Sequence, residues 1–112
     1  PAPEAPPPPP PPPPPVLNYD YDITPPWRKA PVWTPVSVWD DGKKTWIAFS
    51  SNVAAADMPP LFVRTGEGLE LVNYRAEGQT YVVDRLFDRA ELRLGQKKPI
   101  TVRIDRKEAA RP

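Results

Sequence analysis

The sequence contains no cysteine and no histidine. Without thiols there are no disulfides, no thiolate nucleophiles and no zinc sites of the usual kind. Without imidazole there is no His general base and no Ser-His-Asp triad. Charge of one sign is also missing. Fifteen Lys and Arg stand against fourteen Asp and Glu, a net charge of +1, with both signs interspersed. That balance lacks the basic footprint on which nucleic-acid binding relies, so no direct contact with nucleic acid is expected. The most basic stretch, LRLGQKKPITVRIDRK, reads either as a solvated strand face or as an anion-binding patch. No run of about 18 apolar residues is present, and the N-terminus does not have the form of a signal peptide. The chain opens on Pro1-Ala2-Pro3-Glu4, as an excised fragment of a longer protein would.

Proline is what the sequence has in excess, 20 of 112 residues, ten of them consecutive from Pro6 to Pro15. Proline fixes φ near −65° and has no N–H, so such a run enters neither helix nor sheet ladder and adopts polyproline II. It makes a stiff spacer of ~31 Å. The expected organisation is a proline-rich linker over 1–15, a folded domain over 16–106 and a tail over 107–112. The folded part has room for one small core.

Periodicity sets the fold class. In LNYDYDI, Leu17, Tyr19, Tyr21 and Ile23 alternate with Asn18, Asp20 and Asp22, a strict period of two. TPPWRKAP breaks it. In VSVWDDGKKTWIAF, Asp41-Gly42 lies between two strand-like runs and predicts a hairpin with a type I′ turn, Val36–Asp40 pairing with Lys44–Phe49. LFVRT, LELVNYRAE and YVVD follow as a meander around Gly66, Gly68 and Gly78. RLFDRAELRLG fits a helix or a loop and short strand. The strand is preferred because PITVRID then closes the sheet with Ile100, Val102 and Ile104 inward. Seven or eight short strands with Gly and Pro punctuation specify a small antiparallel β-sandwich, with a barrel as the other option.

Three carboxylate pairs are the only catalytic candidates: Asp20 with Asp22, Asp40 with Asp41, and Asp84 with Asp88. Each has a simpler account in a turn, on a wet strand face or in a loop beside Arg85 and Arg89. No enzyme, cofactor or metal site is expected. Among the aromatics, Trp39 and Trp46 flank the hairpin turn and are expected to face each other and close the core. Trp27 and Trp33 sit among prolines and are expected at the surface as contact residues. The first strand, leaving a stiff tether, is expected at a sheet border with unpaired N–H and C=O groups free to accept another chain's strand. The candidate partner-binding residues are therefore Leu17, Tyr19, Tyr21, Ile23, Trp27 and Trp33.

VWDDGKKTWIAF, MPPLFV, LELVNYRAEGQTYVVDRL, AELRLG and ITVRI, in that order between Tyr19 and Ile104, resemble the C-terminal domain of the TrbG/CagX-type outer-membrane-complex subunit of bacterial type IV secretion and conjugation systems. The resemblance implies a periplasmic, outer-membrane-associated β-sandwich with no catalytic role. It also implies three associations: with a small outer-membrane lipoprotein added partly as a strand, with a TonB-like scaffold subunit, and with further copies in a ring. Contact with the membrane is then only through partners, and Tyr19–Ile23 is the docking edge. The proline run becomes an interdomain linker. A proline homopolymer and so Trp- and Pro-rich a loop as TPPWRKAPVW depart from the family's general pattern. The competing function is a carbohydrate-binding β-sandwich on a proline tether, its exposed Trp side chains stacking on sugar rings.

Overall fold

The period-two segments become nine strands, the longest of seven residues, in a computed structural model that describes residues 6, 16–27, 29–95 and 97–107. Strands β1 (Tyr21–Thr24), β9 (Ile100–Arg106), β8 (Arg89–Leu94), β4 (Leu61–Thr65) and β5 (Gly68–Leu71) form one sheet in that spatial order. Strands β2 (Ser37–Asp40), β3 (Thr45–Ala48), β7 (Thr80–Val83) and β6 (Tyr74–Glu77) form the other. Every pairing is antiparallel. The all-β sandwich is as expected, but with nine strands rather than seven or eight. The extra one arises because LELVNYRAE does not stay in one strand. It breaks at Val72-Asn73, so that β5 pairs with β4 in one sheet and β6 with β7 in the other. The expected meander is thus a crossover between layers.

The two inner faces interlock in one core. Rows of cross-strand neighbours carry it, with Leu61, Leu92 and Val102 in one row and Ile23, Ile104 and Ala90 in the next. The facing sheet supplies Val38, Ile47, Phe49, Tyr81 and Val83. RLFDRAELRLG is loop and strand, with Phe87 and Leu92 buried. In the last strand Val102 and Ile104 are inward as expected, whereas Ile100 at its start is exposed. On the outer side of β8, Glu91 is buried between Arg64 and Arg93, at 2.6 and 2.9 Å. Burial pushes its carboxyl up, but the two guanidinium groups outweigh that and hold it below the usual glutamate value.

The hairpin pairs as expected, with Trp39 opposite Trp46, but its turn is not type I′. That turn needs φ > 0 at both central residues, and among the described residues only glycines have positive φ, Gly42 at 92°. A four-residue loop, Asp41 to Lys44, is closed instead by the Asp41 N–H on the Lys44 carbonyl at 3.2 Å and by side chains. Asp41 Oδ1 accepts from the N–H groups of Lys43 and Lys44, and Asp40 Oδ1 from that of Gly42. The Trp39–Trp46 pair also does not close the core. Val38 and Ile47 take the inward positions, so the indoles stand on the outer face, stacked with ring centroids 6.3 Å apart.

Of the expected flanking segments, the proline run beyond Pro6 and the tail beyond Lys107 lie outside the described residues.

Candidate functional site

The first described segment crosses the side of the sandwich, touching both sheets. Asn18 makes a two-bond antiparallel bridge to Asp40 at the open edge of β2. Three residues later β1 begins and pairs with β9, Tyr21 opposite Arg106 and Thr24 opposite Arg103. The strand therefore starts at Tyr21, not Leu17, because the backbone at Asn18 is committed to the other sheet.

Among the described residues β1 has a neighbour on one side only. Which groups it leaves open follows from the alternation of antiparallel bonds. The Asp20 carbonyl accepts from the Lys107 N–H at 3.0 Å, so bonds to β9 fall on Asp20, Asp22 and Thr24. The N–H and C=O of Ile23 and the C=O of Tyr21 point away from β9. The Tyr21 N–H already donates to the Tyr19 carbonyl at 2.8 Å. The open edge thus offers one donor and two acceptors, enough to seat a short added strand.

What fixes this segment is a buried carboxylate. Asp40, 2 % exposed, takes the inward position at the end of β2. It accepts hydrogen bonds from the Tyr21 hydroxyl, from Asn18 Nδ2 at 3.1 Å and from the Gly42 N–H at 2.9 Å, and lies 3.7 Å from the Arg106 guanidinium. Burial pushes the Asp40 carboxyl up, but these donors and the Arg106 charge together hold it below the usual aspartate value. Burial, with the bond to Asp40, pushes the Tyr21 phenol far above its ordinary value. The cluster joins the first segment, the β2 edge and the end of β9, so it positions the open edge. Asp40 looked like a turn residue from its Asp-Gly context. The signal that marks it otherwise is parity, since it shares its face with Val38.

The six candidate residues separate. Leu17 and Tyr19 are exposed on the crossing segment, Tyr19 at 56 % with its ring 5.8 Å from that of Trp39. The Tyr21 side chain is buried and that of Ile23 packs against the core, so this pair can contribute backbone only. Trp27, 87 % exposed, stands just past the end of β1 and next in sequence to Pro26, which lines an open groove with Lys29, Pro99, Ile100 and Thr101. Trp33 is a correction. It is 4 % exposed and belongs to the core. A turn closed by the Thr34 N–H and hydroxyl on the Pro31 carbonyl aims its indole inward and leaves Val32 and Val36 outside.

Of the paired carboxylates, Asp20 and Asp22 are exposed and Asp84 and Asp88 are exposed loop residues. Asp84 sits 3.7 Å from both Lys44 and Arg75. None of the three pairs forms the close buried couple that acid–base catalysis uses.

Comparison with known proteins identifies a family. Residues 3–107 match the CagX family model, described as conjugal transfer protein. Over 90 residues the chain is 37 % identical to a probable conjugal transfer protein TrbG of Sinorhizobium fredii. That match takes in 78 % of this chain but 32 % of the relative, so the chain spans about a third of the relative's length. With nearly its whole length matched by the family model, this chain belongs to the CagX family of conjugal transfer proteins.

Proposed function

We propose that this domain is a non-enzymatic structural subunit of a type IV secretion or conjugation core complex, and that β1 is where it grips a small outer-membrane lipoprotein. Family membership supports the system. The one-sided pairing of β1 supports the mode, an extended segment of the partner adding beside Ile23. Leu17, Tyr19 and Trp27 flank that edge as exposed side-chain contacts, while Tyr21 and Ile23 contribute backbone and Trp33 supports from within. In this reading the domain works in the periplasm and reaches the outer membrane only through partners. It is held by the lipoprotein and a TonB-like scaffold and repeated around a ring, while residues 1–15 serve as a stiff spacer to another part of the subunit. No cofactor is needed for such a role.

Amide exchange tests the edge residue by residue. Adding the mature lipoprotein of the same system slows exchange at Ile23 by about tenfold, since its N–H gains a partner. Asp22 and Thr24, already bonded to β9, change little, and the melting temperature rises with partner concentration. Binding that leaves the Ile23 amide unchanged removes β1 as the docking strand.

A further inference from the structure

The open edge leaves one surface unexplained. Across the outer face of the four-stranded sheet, register places Trp39, Trp46, Val82 and Arg75 in one row, and Tyr19 extends it beyond β2. The two indoles are nearly parallel, 6° apart, and both are partly exposed. Val82 is 2 % exposed although it faces away from the core between the sheets, flanked by Trp46 and Arg75. Neither indole N–H of Trp39 or Trp46 donates a hydrogen bond among the described residues. Arg75 closes the row, 3.0 Å from Glu77 and 3.7 Å from Asp84. At Tyr19, Trp39 and Trp46 the surface is thus aromatic and offers indole N–H donors, while the carboxylates of Glu77 and Asp84 lie at the Arg75 end.

A polyproline helix is the complement of such a surface. It has apolar rings, carbonyl acceptors and no N–H donors, and parallel aromatic rings are the usual seat for it. This chain carries ten prolines ending at Pro15, four residues before Tyr19. The row spans four strand intervals, roughly 19 Å at about 4.8 Å each. That is about six polyproline residues, two full turns. Direction decides whose prolines fit. Asn18 meets Asp40 antiparallel, so the chain preceding it leaves past the Asp41–Lys44 turn, on the far side of Asp40 from Trp39. Val16 and Leu17 therefore lead away from the row of their own domain.

We propose that the Tyr19–Trp39–Trp46 face is a receptor for the proline run of a second copy of this chain, a head-to-tail contact between neighbouring domains. A heterologous contact of this kind propagates from copy to copy instead of closing as a simple dimer. The inference does not use the β1 backbone, which lies in the other sheet, and shares only Tyr19 with the docking edge, so Trp46→Ala is the variant that separates the two.

Sedimentation of the full chain over a concentration series tests it. Self-association that grows with concentration is expected, and replacing Pro6–Pro15 by Gly-Ser repeats abolishes it. Trp46→Ala weakens it by at least about tenfold, as loss of an aromatic anchor does, and Tyr19→Ala at the rim, where little folding is at stake, weakens it less. Free decaproline peptide dissociates the assembly and shifts tryptophan emission without any substitution. Three results overturn the proposal. One is a monomer at every concentration whose emission ignores decaproline. Another is an emission change on replacing the run that is the same at all concentrations, which puts the prolines on their own row. The third is a saturable emission shift with soluble glycans and none with decaproline, which makes the face a sugar platform.

Discussion

Replacing Asp40 by alanine lowers the melting temperature of this domain by more than about 10 °C. The carboxylate is buried and serves the Tyr21 hydroxyl, the Asn18 amide, the Gly42 N–H and the Arg106 guanidinium at once. Removing one partner of a buried charged cluster strands the others and costs about 3–5 kcal/mol. A domain of this size moves about 4–8 °C for each kcal/mol. Asp40→Asn keeps an acceptor and the shape, and falls between wild type and Asp40→Ala. Acid gives the same answer without mutation. The folded-state value of Asp40 is depressed below its unfolded value of about 3.8, so its contribution is fully present above that value and is lost as pH falls through the lower folded one. Glu91 shifts in the same direction, so acid unfolding persists in Asp40→Asn but is shallower. Thermal melts between pH 2 and pH 6 read both effects. A melting temperature unchanged in Asp40→Ala would deny the carboxylate its anchoring role.

That anchoring role was poorly legible in the sequence, whereas most of the scaffold was plain. Strict alternation over PITVRID and the pairing of Trp39 with Trp46 across the hairpin need only the two-residue period of a strand. Alternation names the members of a face but not which face is wet when both carry apolar groups. Val38-Trp39 and Trp46-Ile47 are each adjacent apolar pairs, so the side with the indoles was settled only by the second sheet packing against Val38 and Ile47. LELVNYRAE carries no proline or glycine at its break, and its passage between sheets depends on partners at Phe62 and Tyr81, far away in sequence. Asp40 gathers donors from residues 18, 21 and 106, a convergence that local pattern cannot show. The open edge was legible for a different reason. A polyproline tether cannot fill a ladder beside the strand it leads into, and among the described residues that strand stands at the border of its sheet.

The two tryptophans of the β1–β2 connection provide the sharpest contrast in function. Trp33→Ala empties a site in the core where the indole is 4 % exposed, and burial of that size costs about 3–5 kcal/mol when truncated, a drop in melting temperature comparable to that of Asp40→Ala. Trp27→Ala removes a side chain that is 87 % exposed and leaves stability within about 0.5 kcal/mol. Partner binding orders them the other way. If β1 receives the added strand, Trp27 at its end is a contact residue, and its truncation weakens lipoprotein binding by about tenfold or more with the melting temperature unmoved. Trp33→Ala, measured well below its own melting point, binds through the same β1 groups with affinity close to wild type. Calorimetric titration beside a thermal melt separates the two. Wild-type affinity in Trp27→Ala would confine the contact to the backbone of β1 and the crossing segment. A large affinity loss in still-folded Trp33→Ala would show that the connection holds the edge in its receptive shape, since the buried indole has no surface to offer a partner.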